Sequence, residues 1–95
     1  MTTFILHFAC TSPRASVATI TWTADACVIS PTIEEAEASA RELIAERSYH
    51  ATELIAFAKI SEQQVASLSQ LEATLYLKAQ QNSTRRAVVF SEWHD

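Results

Sequence analysis

No glycine occurs in this chain of 95 residues, where a soluble protein of that length carries about six or seven. Glycine takes positive φ without a Cβ clash and lets a backbone press against a phosphate. Its absence therefore excludes Gly-rich phosphate loops and dinucleotide fingerprints. A helix that ends on a left-handed residue must recruit another residue type for that position.

Ninety-five residues are the scale of one domain, residues 1–95, large enough to bury a core and to present one binding surface. The apolar fraction is 48%, but sixteen of those residues are alanines, which favour close packing of helices and strands over large buried area. Eleven acidic and seven basic residues leave a net charge of −4, which favours solubility and opposes a polyanionic partner. The segment Met1 to Cys10 has no basic leader, and its apolar stretch from Phe4 to Ala9 is short and interrupted by His7. No stretch approaches the roughly twenty apolar residues of a membrane span. A cytoplasmic protein with no membrane association is expected. Asn82-Ser83-Thr84 matches a glycosylation sequon, an accidental match where secretion is not expected.

Alternation of period two places Phe4, Leu6, Phe8 and Cys10 on one face of a first strand and Ile5, His7 and Ala9 on the other. In a second strand over 17–24, Ala18, Ile20, Trp22 and Ala24 face one way and Thr19, Thr21 and Thr23 the other. The sheet thus packs on helices through Trp22 and turns a threonine row outward. The two strands read as a hairpin across Thr11-Ser12-Pro13-Arg14. Asp25 marks a bend, after which Cys27 to Ile29 resumes the strand or leads into a helix. On this geometry Cys10 lies beside the turn and Cys27 beyond the far end, more than about 20 Å away, against the roughly 6 Å between Cα atoms of a disulfide. Two free, partly buried thiols are expected.

Ser30-Pro31-Thr32-Ile33-Glu34-Glu35 opens a first helix, with Pro31 in the first turn behind Ser30 or Thr32 and Glu35 forming a capping box. Ile33, Ala36, Ala40, Leu43, Ile44 and Arg47 recur at helical spacing, while Glu34, Glu35, Glu37, Glu42 and Glu46 fill the opposite face. Glu37 can pair with Arg41 one turn on. The helix should end near Ser48, with Tyr49 or His50 as the left-handed cap. The stretch from Ala51 to Ile60 is apolar on both faces, the pattern of a central strand. Ser61-Glu62-Gln63-Gln64 caps a second helix whose stripe is Val65, Leu68, Leu71, Leu75, Tyr76 and Ala79, with Asn82 as a left-handed stop. Arg86 to Trp93 closes the sheet. The expected fold is α+β, with elements in the order ββαβαβ, a four-stranded mixed sheet, and two helices packed on one face.

Candidate chemistry is sparse. His7 and Cys10 point to opposite faces of one strand, so one metal ion cannot take both. His50 and His94 have no companion at ligand spacing, and no metal is expected. A cysteine within an apolar strand is a small core residue, protonated and inert, rather than a nucleophile. Glu42 and Glu46, one turn apart on a polar helix face, read as solvated surface. Neither a cofactor nor catalysis is expected, so the chain is not read as an enzyme.

The expected function is that of a small acidic protein that binds another protein and modulates or blocks it, as an inhibitor, immunity protein or adaptor does. The acidic face of the first helix, Glu34, Glu35, Glu42 and Glu46, would steer association with a basic partner surface. The threonine row, Thr19, Thr21 and Thr23 beside His7 and Ile5, offers an open sheet face, and the sheet edges offer sites for strand pairing or a homodimer. Tyr49, Trp93 and His94 are aromatic anchors. One alternative is a dimeric regulatory domain that binds a small molecule. Another is a nucleic-acid accessory protein using Lys78, Arg85 and Arg86, the only basic patch, although the net charge opposes nucleic acid as a partner.

Overall fold

The alternation of Phe4, Leu6, Phe8 and Cys10 runs through a hairpin longer than the pattern predicts. In this computed structural model, which describes residues 1–11 and 20–94 and the side chains over 1–11 and 22–91, β1 spans Thr2–Thr11 and β2 spans Ile20–Ser30. Register pairs Phe4 with Val28, Leu6 with Ala26, Phe8 with Ala24 and Cys10 with Trp22. Apolar residues therefore meet apolar residues on one face along the whole ribbon. Asp25 is not a bend. It lies within β2 opposite His7, where its carboxylate has a partner. The expected turn begins at Thr11, which is still strand, and continues over residues that lie outside the described ones.

The remaining elements are α1 (Ile33–Glu46), β3 (His50–Ile60), a 3-10 turn (Glu62–Ser67), α2 (Gln70–Gln81) and β4 (Arg86–His94). The ββαβαβ order and the α+β class hold. The sheet runs β3-β1-β2-β4 and every neighbouring pair is antiparallel, so it is not mixed. The early hairpin takes the two central places, and β3 and β4 add to its flanks. That displaces β3 from the expected centre to an edge. Its two-sided apolarity is met by partial burial of Leu54 against the core, while Ile55 and Phe57 stay about half exposed at 52% and 51%.

Nor do the two helices share a face. On the first face Phe4, Leu6, Phe8, Cys10, Ala24, Ala26 and Val28 pack with Ala36, Ala40 and Ile44 of α1. Alanines on both sides of this contact let helix and sheet approach closely. On the second face Ile5 and Cys27 pack with Leu75 and Ala79 of α2, with Ile60, Tyr76, Ala87 and Val89 against them. Burying Ile5 and Cys27 requires a cover on that side too, so the sheet is sandwiched between the helices. Cys10 and Cys27 are both buried and free. They sit on opposite faces, five residue pairs apart along the ribbon, and Cys27 lies inside the paired region opposite Ile5 rather than beyond its far end as expected.

Helix ends show how the chain manages without glycine. The cap of α1 is Thr32, whose Oγ1 accepts from the Glu35 N–H at 3.2 Å. At the other end Ser48, not Tyr49 or His50, is left-handed at φ 67°. The Tyr49 N–H reaches back to the Ile44 carbonyl at 3.2 Å and the Ser48 N–H to Ala45 at 2.9 Å, a Schellman-type closure. A β-carbon in that region costs about 1 kcal/mol or more. Ser48→Gly is therefore expected to raise unfolding stability by about 0.5–1 kcal/mol, read as a higher urea midpoint. An unchanged or lower midpoint counts against stored strain at this site.

The capping box at Ser61 and Gln64 is present, yet it opens only the 3-10 turn. A second box at Ser69 and Glu72 starts α2, because Leu68 between them is extended. Asn82 is extended at φ −80° rather than left-handed. Its Oδ1 instead accepts from the Thr84 N–H and Oγ1 at 3.0 and 2.9 Å, which moves the left-handed position to Arg85 at φ 57°. Among the described residues no helix is long and apolar enough to cross a membrane.

Candidate functional site

Helix α2 has 12 residues and β2 has 11. At about 1.5 Å per helical residue and 3.4 Å per strand residue, the helix is half the length of the sheet beneath it. It covers Ile5 and Cys27 and does not extend over the far half of the second face, whose described residues are partly buried. His7, Ala9, Thr23 and Asp25 occupy that half. His7 Nδ1 lies 2.7 Å from Asp25 Oδ1, with the two side chains 38% and 21% exposed. A carboxylate on Nδ1 sets the ring orientation. Thr23, two residue pairs further along, donates from Oγ1 to the Ser91 carbonyl at 3.5 Å, a long contact.

On the sheet face expected to be open, His7 and Thr23 are partly buried and Ile5 is buried under α2. Thr21 pairs through its backbone with Trp93, while the side chains of both lie outside the described ones. Thr19 is likewise outside. Asp25 is the residue that sequence reasoning missed. Its signal was the apolar run Ala26, Cys27, Val28 and Ile29, which continues the strand past it and fixes the register that brings it to His7.

The acidic residues sit elsewhere, on α1 above the first face. Glu34, Glu35, Glu42 and Glu46 are all exposed, but they do not form one free negative patch. Arg86 of β4 reaches Glu46 at 3.1 Å and Glu42 at 3.4 Å and donates to the Ser39 carbonyl and Oγ at 3.2 and 3.1 Å. Arg41 Nε pairs with Glu37 at 2.9 Å, as the spacing predicts. Glu34 and Glu35 remain in the first turn, where the helix dipole favours them. With its side chain only 12% exposed, Arg86 is withdrawn from the expected basic patch. Tyr49, expected as an exposed anchor, stacks on Phe90 at 4.1 Å and meets Trp22 edge-on at 5.3 Å, so it belongs to the core rim.

Two further features complete the surface. On edge strand β3, Ile55, Ala56, Phe57 and Ala58 are four consecutive exposed apolar residues. At the end of the sheet nearest Ile29 and Ile60, a groove of about 690 Å³ is lined by Thr3, Ile29, Ile60, Tyr76, Lys59 and Arg85 among others. Both thiols are held in the neutral form by burial, which pushes Cys10 and Cys27 up to about 11; the Arg41 charge partly opposes the shift at Cys10. Among the described residues no three His, Cys, Asp or Glu side chains converge as a metal site. Comparison of the chain with protein-family models, curated proteins and solved structures found no match.

Proposed function

We propose that this chain is a small non-catalytic cytoplasmic protein that binds another protein and modulates or blocks it. One observation carries the reading: the run of exposed apolar residues from Ile55 to Ala58 on an edge strand. Exposed apolar runs of this length are disfavoured on a surface with no partner, because they invite association. A partner that covers Ile55 and Phe57 removes apolar area from water. Glu34 and Glu35 add a negative contribution that guides approach of a basic surface.

Phe57→Asp separates binding from folding. A half-exposed residue at a sheet edge carries little of the core, so the variant should unfold within about 1 kcal/mol of the parent. Capture from native cell extract by the parent and by Phe57→Asp, compared by quantitative mass spectrometry, should show a partner retained by the first and lost by the second. Identical captured sets would count against the β3 edge as the binding surface.

The end groove favours a second reading, a regulatory domain for a small molecule. Its volume of about 690 Å³ falls within the usual range of ligand pockets. A ligand that prefers the native state raises the melting temperature, and a metabolite that does so in the parent but not in a Tyr76→Ala variant would support this reading over the first.

A further inference from the structure

The two edges of the sheet differ. Pairing of β3 with β1 shifts register twice, between His7 and Phe8 and between Ala9 and Cys10, and such bulges blunt an edge against further strands. Pairing of β4 with β2 runs from Ile20 and His94 to Val28 and Arg86 without a shift. The regular edge is β4.

Its backbone direction follows from two hydrogen bonds. The Ile29 N–H donates to the Arg85 carbonyl at 3.0 Å, so Arg85 faces inward, toward β2. Asn82 Nδ2 donates to the Arg86 carbonyl at 3.2 Å, so Arg86 faces outward. By strand alternation Val88 and Phe90 also present N–H and C=O away from the sheet. Along this edge lies a groove of about 390 Å³, walled by Leu43 of α1 and the following Arg47, by Lys78 of α2 and the following Asn82, and by Arg86 and Val88 of β4. Its lining includes three cationic residues and no carboxylate, in a chain of net charge −4. Arg86 is engaged by Glu42 and Glu46. Among the described residues, Arg47 and Lys78 form no ion pair.

We propose that this groove binds an extended acidic segment of another protein as a fifth strand on β4. Main-chain groups of Val88 and Phe90 supply the ladder. Side chains of an added strand alternate between the two faces, so consecutive acidic residues meet Arg47 on the α1 side and Lys78 on the α2 side. Adjacent carboxylates in an otherwise β-forming segment are the recognition signal. The site is separate from the β3 edge, and the two can fail independently.

The test uses a fluorescein-labelled octapeptide with a central Glu-Glu pair in a Val/Thr background, titrated with the whole chain by fluorescence anisotropy. Saturable binding is expected, weakening as salt rises from about 50 to about 300 mM. The double variant Arg47→Glu, Lys78→Glu, at two exposed positions, should weaken it by about tenfold or more. N-methylation of alternate peptide residues should abolish binding in one register and spare it in the other. Phe57→Asp should bind the peptide like the parent even where it loses a captured partner. Absence of saturable binding, equal affinity for the Gln-Gln peptide, or indifference to charge reversal overturns the proposal. A dimer in sedimentation that the peptide does not dissociate assigns the edge to a second copy and overturns it as well.

Discussion

Phe8→Ala is expected to lower the free energy of unfolding by about 3–5 kcal/mol, the usual cost of removing a fully buried ring. Phe8 has no exposed surface and lies in the larger core cluster with Ala24, Ala36 and Ala40. Small neighbours of that kind have few atoms with which to refill a cavity, which places the loss toward the upper end of the range. The Arg41 guanidinium lies 5.3 Å from the ring centroid, so the substitution also removes a cation–π contact of about 0.5–2 kcal/mol. A chain of this length is stable by about 5–14 kcal/mol in total, and the variant forfeits a large share of that. Urea denaturation should give a much lower midpoint at nearly unchanged slope. Phe57→Ala, the same chemical change on the β3 edge, should cost less than about 1 kcal/mol. Equal losses at the two positions would put Phe57 in the core and remove the apolar edge on which the proposed function stands.

The two thiols should be nearly silent in the native state and reactive once it unfolds. Burial lifts both from 9.0 to about 11, which lowers the thiolate fraction at pH 8 by about a hundredfold, in addition to the loss of access. Labelling with iodoacetamide at pH 8 should therefore be at least about a hundredfold faster in urea than in buffer. Because the native pKa is the raised one, the corresponding stability is fully present below pH 9. It is lost as pH rises from about 9 to about 11, where the unfolded chain ionises first. Fast native labelling of either cysteine would contradict its burial. Cys27 lies under α2 in the smaller core cluster, so any slow native labelling through local opening should reach it before Cys10.

Local chemistry was legible residue by residue. Alternation in β1 assigned both of its faces correctly, and Trp22 and Ala24 fell on the packed side of β2 as expected. Ser61 with Gln64 formed the box its spacing predicts, while Thr32 with Glu35 formed one of the two bonds, the Glu35 N–H to Thr32 Oγ1. The Glu37 and Arg41 pair formed at its helical spacing. The opposite faces of His7 and Cys10 were readable from parity alone. Failures arose where two local signals competed. Ser61 and Ser69 both head capping boxes, and only packing of Leu75 and Ala79 on Ile5 decides that the α-helix starts at the second. Asn82 is a good left-handed residue, but its side chain forms a turn with Thr84 and the left-handed position passes to Arg85.

The candidate surfaces were less legible, because each depends on what lies across the sheet. Glu42 and Glu46 look like free surface carboxylates until Arg86, some forty residues away in the chain, is brought over α1. Tyr49 looks like an exposed anchor until Phe90 and Trp22 close around it. Asp25 reads as a loop residue until hairpin register sets it against His7.

Read alone, the chain determined element types and their order, the two-faced pattern of the first strand, the free state of both cysteines and the need for left-handed residues other than glycine. Those properties depend on spacing of a few residues and on backbone sterics, which act within a segment. Only tertiary structure decided that β1 and β2 are central, that α1 and α2 take opposite faces, and that β3 and β4 are left as edges with an apolar run on one and a cationic groove on the other. Strand order and helix side follow from which apolar faces bury each other across long sequence separations, and period-two or period-three-and-a-half patterns carry no record of that choice.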